Sequence, residues 1–367
     1  MRMLHVPSIV APIIRLLSFY SATLVIMSHW KSYPSRLVSL AVTIINRYPR
    51  LVALAGFISG VCSFLLVDRQ HGFAKVMAVV MLASWLWLML ENVLRKWVTR
   101  RFGWSVPPGL LRYATQMIHQ ESLFFVLPFF FITTTWNSGQ VVFTGLLATM
   151  ALISITDPLY YKALTARRWV FLGYHTLTLF AVLLTALPII LHLTTPESYK
   201  LALGVAVLLS FPSIAVALSI KRGWQWPMVL ALTLAIGGFG WIMRAWVPPA
   251  TLWLTDVAIT SQFDNQAREP GKSLKEISEA QLRSQGLYAY TAINAPRGLS
   301  ERIYHVWRHD GREVDRIPLN ISGGREAGYR AWTHKRNFPG QVEGRWQVQV
   351  VTEAGQLIGT LRFKVTE

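Results

Sequence analysis

The first 250 residues consist of long apolar segments separated by short polar connections. A helix needs about 20 mostly apolar residues to cross the hydrocarbon core of a bilayer. Seven segments reach or approach that length: 51–67, 73–94, 117–136, 138–156, 169–191, 200–219 and 226–246. This pattern predicts an α-helical polytopic membrane bundle of about seven transmembrane helices within residues 51–250, surrounded by the lipid bilayer.

Residues 287–367 follow a different pattern, in which apolar and polar side chains alternate along six short runs. In one run Trp346 and Val350 share a face, while glutamines occupy the opposite face. Such alternation is typical of antiparallel strands with one buried and one solvated face. Asp310-Gly311 is a hairpin signal between the second and third runs. We therefore expect a small all-β sandwich of immunoglobulin-like type.

Two further segments complete the domain organisation. Residues 251–286 are polar and predict a linker with a short helix at about 273–284. Residues 1–50 predict a cytoplasmic or interfacial helical segment. Within that segment, 6–27 is apolar but carries Arg15 at its centre, so an additional span there is a second interpretation.

Basic residues give the predicted bundle an orientation. The net charge is +18, but residues 1–250 contain 20 Lys/Arg against 5 Asp/Glu, and residues 251–367 contain 16 against 13. The Lys and Arg residues stand in alternate connections, whereas 68–72, 137–140 and 192–200 contain few. Because basic loops face the cytoplasm, we expect a multi-pass protein of the bacterial inner membrane with a periplasmic C-terminal domain. Nucleic acid is not predicted as a partner, because its binders concentrate basic residues in one region.

Four polar or charged residues stand near the cytoplasmic ends of the predicted spans: Glu91, His119, Glu121 and Asp157. Charged groups at membrane depth are costly and often functional, so this cluster is a candidate proton, metal or headgroup site. The alternative is structural, because Glu91 can pair with Arg95 one turn away and Asp157 can end a helix before a proline. His119 and Glu121 face two sides of a helix, which argues against a metal site.

The run 328–335 provides a second candidate site. A regular strand would place Arg330, Trp332, His334 and Arg336 on one face. Two arginines cannot point unpaired into a small core, so this face is predicted to be the outer one. An exposed Trp flanked by cations suits sugar rings or anionic groups. The alternative is a bulge at Gly328 or Gly323-Gly324 that shifts the alternation and buries Trp332.

The remaining reactive side chains predict structural roles. His175 is expected to be a hydrogen-bonded residue of the bundle, and His305 a satisfied, half-buried residue of the β domain. Cys62 is the only cysteine, so the chain offers no internal disulfide and no Cys/His zinc spacing. The C-terminal part contains no Ser/His/Asp set, carboxylate pair or P-loop. No catalytic residue, metal or cofactor is predicted.

The C-terminal part resembles a known family. The stretches "GLYAYTAINAPRGLSERIYHVWRHDG", "GGREAGYRAWTHK" and "GRWQVQVVTEAGQLIGTLRFKV" are similar to the bacterial domain of unknown function 2914. The resemblance covers residues 285–367, and the preceding half is similar to uncharacterised multi-span segments found ahead of such domains. It implies a β domain on a proteobacterial membrane protein and implies no reaction, cofactor or catalytic residue.

Two functions follow as hypotheses. The first is a non-enzymatic inner-membrane protein that displays a periplasmic β module, which binds an envelope glycan, an anionic lipid or polymer, or a protein partner. The alternative is a membrane enzyme or transporter for a lipid-linked substrate that uses the cytoplasmic-side polar cluster. A scaffold whose helices bind other membrane proteins is a third interpretation.

Overall fold

The structure is a computed structural model that describes residues 108–218, 223–324, 327–338 and 340–367. Before residue 108 it describes 43, 47, 58, 75, 76, 78–86, 100 and 101. The predictions for 1–50, including the additional span 6–27, and for 51–67 fall almost entirely outside these residues, and Glu91 lies outside them as well. The helices and strands described below all belong to one compact unit, Ala55–Glu367.

Most of the described helices lie within residues 108–246. We call these helices, together with the helical segment 78–86, the helical part. Proline stands at the first or second position of four of the helices given below, as expected for a residue without an amide hydrogen. The helices are α1 (Pro108–Thr133), α2 (Gln140–Ile155), a π-helix (Pro158–Leu164), α3 (Arg168–Leu191), α4 (Thr195–Ala217) and α5 (Trp226–Ile242). Single 3-10 turns at Gly223–Gln225 and Met243–Trp246 flank α5.

Two of these helices are long and apolar enough to cross a membrane. They are Arg168–Leu191 and Trp226–Trp246, while α2 and the π-helix qualify only as a pair that is bent by 104°. The described residues therefore provide two candidate spans, or three with the bent pair, where the sequence predicted about seven over the whole chain. The predicted span 117–136 lies mostly in α1, whose middle carries the polar run His119–Glu121.

The strands of the C-terminal part, called the β part, form two main sheets around one shared apolar core. The first sheet has the order β1-β5-β8 and the second β4-β10-β9-β6-β7, with only β4 and β10 parallel among the main-sheet pairs. A small hairpin joins β2 and β3. The strands are β1 (Trp253–Thr260), β2 (Phe263–Asp264), β3 (Glu269–Pro270), β4 (Glu276–Ser278), β5 (Leu287–Asn294), β6 (Ser300–His309), β7 (Arg312–Ser322), β8 (Tyr329–Lys335), β9 (Gly344–Thr352) and β10 (Leu357–Thr366).

All six predicted runs are strands, but the segment 251–286 is not only a linker. Residues 253–260 form β1, which pairs with β5 along its whole length, so the β part begins before residue 287. The predicted short helix is α6 (Glu279–Gln285), where the Ser278 side chain accepts the Gln281 amide as an N-cap. The hairpin at Asp310-Gly311 is confirmed, with positive φ at both residues.

Candidate functional site

The buried polar groups of the helical part centre on His119. The side chain of His119 is fully buried, and its two ring nitrogens have different partners. Nδ1 lies 2.7 Å from the Tyr160 hydroxyl, and Nε2 lies 2.9 Å from Nδ1 of His175. Three separate elements, α1, the π-helix and α3, therefore meet at one hydrogen-bonded chain, which we call the His119 network.

Local structure explains how Tyr160 reaches this position. Pro158 cannot continue the hydrogen-bond ladder of α2, and the chain turns through 104° into the π-helix. The wider π turn presents Tyr160 to the interior, where it is buried, and such π segments recur at functional sites. Trp85 closes the other side, since its Nε1 donates to the Ser122 hydroxyl at 2.9 Å and its ring lies 4.6 Å from the His175 ring.

A second layer of polar contacts lies one helical turn away, around Gln116. The Gln116 amide donates to Asp157 Oδ1 at 2.8 Å and to the Ser154 carbonyl at 3.0 Å. The Tyr161 hydroxyl donates to Gln116 Oε1 at 2.5 Å. Gln116 and His119 are three residues apart and therefore share a face of α1. The two layers place two sets of hydrogen-bonded polar side chains in this part of the helical interior.

The predicted cluster is only partly assembled. His119 and Asp157 lie in these two adjacent layers, but they bind Tyr160, His175 and Gln116 rather than each other. Glu121 is also buried, two residues from His119 along α1. Among the described residues, no group of three His, Cys, Asp or Glu side chains could hold a metal ion. His175 was predicted to be a hydrogen-bonded residue of the bundle, and its contact with His119 agrees with that prediction.

The outer face of the three-stranded sheet is the second candidate site. Strand β8 keeps a regular alternation: Ala331 and Thr333 are buried, while Arg330, Trp332 and His334 are half-buried on the opposite side. The predicted grouping of these three side chains is therefore present. Arg336 follows just after the strand and is exposed.

The bulge alternative does not apply, although Gly328 is special. Gly328 has a φ of +82°, and a Cβ there would come within 2.5 Å of the Thr255 hydroxyl. Only glycine permits this close approach of β8 to its neighbours. Strand β8 then starts at Tyr329 and pairs with β5 without a register shift, so Trp332 stays on the outer side.

Aromatic side chains surround Trp332 on this side of the sheet. The Trp332 ring lies 4.6 Å from Phe263 of the β2–β3 hairpin and packs with buried Tyr290. His334 stacks on Tyr288 at 3.8 Å, with the rings 9° from parallel. These side chains, with Arg330 and Arg336, form a surface that we call the aromatic face. The sequence did not reveal Phe263 and Tyr288, because they come from other strands.

The cations of the aromatic face have partners within the molecule. Arg330 forms an ion pair with Glu269 at 3.3 Å and donates to the Ala267 carbonyl at 3.0 Å. Arg336 Nε donates to Nδ1 of His334 at 3.3 Å. Arg330 thereby ties the β2–β3 hairpin to the sheet, while Arg336 fixes the ring of His334. Chemically, the face offers aromatic surface with an ion-paired arginine, Arg330, at one end and the exposed Arg336 at the other.

The histidine inside the β part has a different role. His305 of β6 is fully buried, and its ring nitrogens lie 3.1 Å from the Thr291 hydroxyl and 3.0 Å from the Thr333 hydroxyl. Burial lowers the pKa of His305 to about 3, so the ring is neutral at physiological pH. It bridges the two sheets. The prediction of a satisfied residue is confirmed, but the ring is fully rather than half buried.

Comparison with protein families gives two matches, and the boundary between them falls inside the β part. A model described as a family of unknown function, DUF5924, matches residues 27–289. A second model, described as a protein of unknown function, DUF2914, matches residues 300–365 and confirms the resemblance of the C-terminal part. No curated protein and no solved structure shows significant similarity to the chain. Because the first model covers more than half of the sequence, the chain belongs to the DUF5924 family of unknown function, with a C-terminal part that matches DUF2914.

Proposed function

We propose that this chain is a bacterial inner-membrane protein that displays a periplasmic binding module. About seven helices anchor it, and the β part, an immunoglobulin-like sandwich in this proposal, binds an envelope glycan with anionic groups on its aromatic face. The observation that carries the proposal is the shared outer position of Arg330, Trp332 and His334, while Ala331 and Thr333 fill the core. This function is non-enzymatic.

Exposed apolar side chains support the membrane location. In the most apolar 18-residue stretch of Trp226–Trp246, only 11% of the stretch is buried within the chain. The corresponding stretch of Arg168–Leu191 is 67% buried. Leu208, Leu234 and Phe239 are 71%, 63% and 65% exposed. Water would oppose so much exposed apolar surface, whereas lipid chains accept it.

Contacts of the β part support the periplasmic assignment. The β part bonds to helix ends near Gln140 and Thr195, which belong to the predicted connections 137–140 and 192–200 that are poor in Lys and Arg. The exposed residues Lys162, Arg167 and Arg168 lie in the connection between α2 and α3, which is at the opposite ends of those two helices. By the charge rule, these contacts support a β part that lies away from the cytoplasm.

The chemistry of the aromatic face fits a charged glycan. The half-buried ring of Trp332 and the ring of His334, which stacks on Tyr288, offer aromatic surface to the C–H faces of sugar rings. Arg336 is exposed and can pair with a carboxylate or phosphate of the ligand. An anionic lipid or a protein partner would use the same cations with less dependence on the rings.

A binding assay with the full chain in lipid nanodiscs tests the proposal. Purified cell-wall glycan, lipopolysaccharide and vesicles of anionic lipid are compared at two salt concentrations. We expect saturable glycan or lipopolysaccharide binding that Trp332→Leu weakens at least about tenfold, as loss of a central aromatic contact does. Arg316→Gln, on the exposed β7 edge strand, is the matched surface control and should bind normally.

The control for folding is the hydrogen exchange of β5 and β8 in Trp332→Leu. Equal binding by the wild type and Trp332→Leu would reject the aromatic face as the ligand site. Binding that is confined to anionic vesicles and abolished by salt would replace the glycan with a lipid ligand. A Trp332→Leu protein whose β part has unfolded would show that Trp332 is mainly a packing residue.

The His119 network favours a second function, a proton-coupled transporter or membrane enzyme for a lipid-linked substrate. The observation that supports it is a hydrogen-bonded chain of three titratable groups between helices, in which Tyr160 and His119 are buried and His175 is half-buried. Imidazoles can pass a proton from one ring nitrogen to the other. Proton flux into proteoliposomes should then be lost in His119→Phe but kept in His192→Gln, which changes an exposed histidine at the end of α3. Absence of flux in the wild type would remove this candidate.

A further inference from the structure

Among the described residues, side-chain hydrogen bonds join the helical part, or Val247 directly after it, to the β part at four places. At three of them an uncharged backbone carbonyl accepts the bond: Gln140 to Leu357 at 2.8 Å, Arg244 to Ala354 at 3.1 Å, and Gln356 to Val247 at 2.9 Å. At the fourth, the acceptor is a carboxyl group. Glu301 Oε2 accepts the Thr195 amide at 2.8 Å and the Thr195 hydroxyl at 3.0 Å.

The surroundings of Glu301 disfavour a negative charge. The side chain is only 3% exposed, and its second oxygen, Oε1, has no hydrogen-bond partner among the described atoms. A buried carboxylate needs partners for both oxygens to offset the loss of water. A neutral carboxyl group would carry its proton on Oε1 and keep Oε2 as the acceptor for Thr195, so the contact itself survives protonation.

The charged groups on neighbouring elements act in the same direction. Glu197 in the first turn of α4 and Glu353 in the β9–β10 turn both disfavour ionisation. Burial is the largest effect, the bonds from Thr195 oppose it, and together they raise the pKa of Glu301 to about 7. The residue paired with Glu301 on β7 is the uncharged Ile321. His192, at the end of α3, lies against Gly298 and is exposed.

We propose that Glu301 is a protonation-controlled latch between the β part and the helical part, closed when its carboxyl group is neutral and weakened when it ionises. The docked state binds this proton more tightly than a solvent-exposed glutamate, whose pKa is about 4.5. Docking is therefore strongest below pH 4.5. The equilibrium constant for docking falls by up to about tenfold for each pH unit as the pH rises toward 7. The latch does not depend on the glycan-binding proposal, because Glu301 is outside the aromatic face.

Hydrogen exchange of the full chain in nanodiscs, measured from pH 4.5 to pH 8, tests the latch. The readout is the protection factor of the segment 193–199, which contains the Thr195 amide, because protection factors correct for the intrinsic pH dependence of exchange. In the wild type, protection should fall at least about tenfold between pH 5 and pH 7.5. Glu301→Gln, which is always neutral, should keep high protection at every pH.

Two variants separate the latch from general effects of pH. Glu353→Gln should keep the pH dependence and move its midpoint downward, because Glu353 disfavours ionisation of Glu301. Thr195→Val should move the midpoint upward, because the lost hydroxyl favours the ionised form. Thr195→Val also tests the latch if Glu301→Gln fails to fold. A flat wild-type profile, an unchanged pH dependence in Glu301→Gln, or an unmoved midpoint in Thr195→Val would overturn the proposal.

Discussion

The helical part and the β part differ in the side chains that they place on their outer surfaces. In the β part, apolar residues such as Trp307 and Val348 fill the core, and charged residues line the outside. In the helical part, His119 and Gln116 are buried, while Leu234 and Phe239 point outward. Water selects the first arrangement and lipid tolerates the second. The exposed apolar side chains are therefore compatible with association of the helical part with a membrane.

The buried histidines sharpen the contrast. Both ring nitrogens of His305 meet threonine hydroxyls, which do not titrate, so the ring is a fixed neutral bridge between sheets. His119 instead meets Tyr160 and His175, both of which can exchange protons. The same residue type thus contacts hydroxyls that do not titrate in one part and titratable side chains in the other.

The largest expected effect comes from truncating a large side chain in the core of the β part. Trp346 is 2% exposed, and its Nε1 donates to the Val342 carbonyl at 2.7 Å. Trp346→Ala should destabilise the β part by about 3–5 kcal/mol. Phe239→Ala is the counterpart in the helical part, where the ring is 65% exposed, and should cost less than about 1 kcal/mol in nanodiscs. Denaturant dependence of hydrogen exchange in β9 and α5 measures both, and equal losses would contradict the contrast.

The next prediction concerns the loss of stability of the β part in acid, which depends on His305. Its pKa of about 3 in the folded state is below the unfolded value of 6.5, so the unfolded state binds the additional proton between these values. Stability of the β part should therefore fall by about 1.4 kcal/mol for each pH unit below 6.5, until pH 3. Chemical denaturation followed by hydrogen exchange of β6 measures this slope.

Glu301 has a slope of opposite sign between pH 4.5 and pH 7, so the His305 experiment uses the Glu301→Gln background. His305→Gln in that background should be less stable at pH 7 but nearly independent of pH from 6.5 to 4. A slope that persists in His305→Gln would mean that another group causes the acid sensitivity.

The sequence predicted those features whose signal is local. The alternation of residues in 345–352 repeats every two positions, and strand β9 has that buried and exposed pattern. The hairpin at Asp310-Gly311 likewise depends on two adjacent residues. The sequence pattern did not predict strand β1. The register of β1 shifts between Leu254 and Asp256, and its partner β5 lies about 30 residues further along the chain.

The candidate sites show the same limit. Grouping of Arg330, Trp332 and His334 follows from one strand, and the structure contains it. The pairing of His119 with His175 joins residues that are 56 positions apart on different helices. It depends on the packing of α1 against α3 and on the π-helix after Pro158, neither of which leaves a periodic signal in the sequence.

A smaller effect is expected from opening the His119 network. His119→Phe keeps the aromatic volume but leaves the Tyr160 hydroxyl and Nδ1 of His175 without their partner. Each buried group that loses its bond costs about 1–3 kcal/mol. Thermal unfolding in nanodiscs should show this loss, whereas His192→Gln, at an exposed position, should unfold like the wild type. An unchanged His119→Phe protein would argue that water already enters the network.

The smallest effect on stability is expected at Arg330. Its ion pair with Glu269 joins side chains that are 36% and 60% exposed, so water and salt screen the attraction. A double-mutant cycle with Arg330→Gln and Glu269→Gln should give a coupling below about 1 kcal/mol that shrinks in high salt. The Lys335–Asp315 pair, whose lysine is 7% exposed, should couple more strongly, since β8 and β7 hold it partly away from water. If Arg330→Gln then lowers glycan affinity while stability stays the same, the cation acts on the ligand; if both fall together, its main task is to hold the β2–β3 hairpin against Trp332.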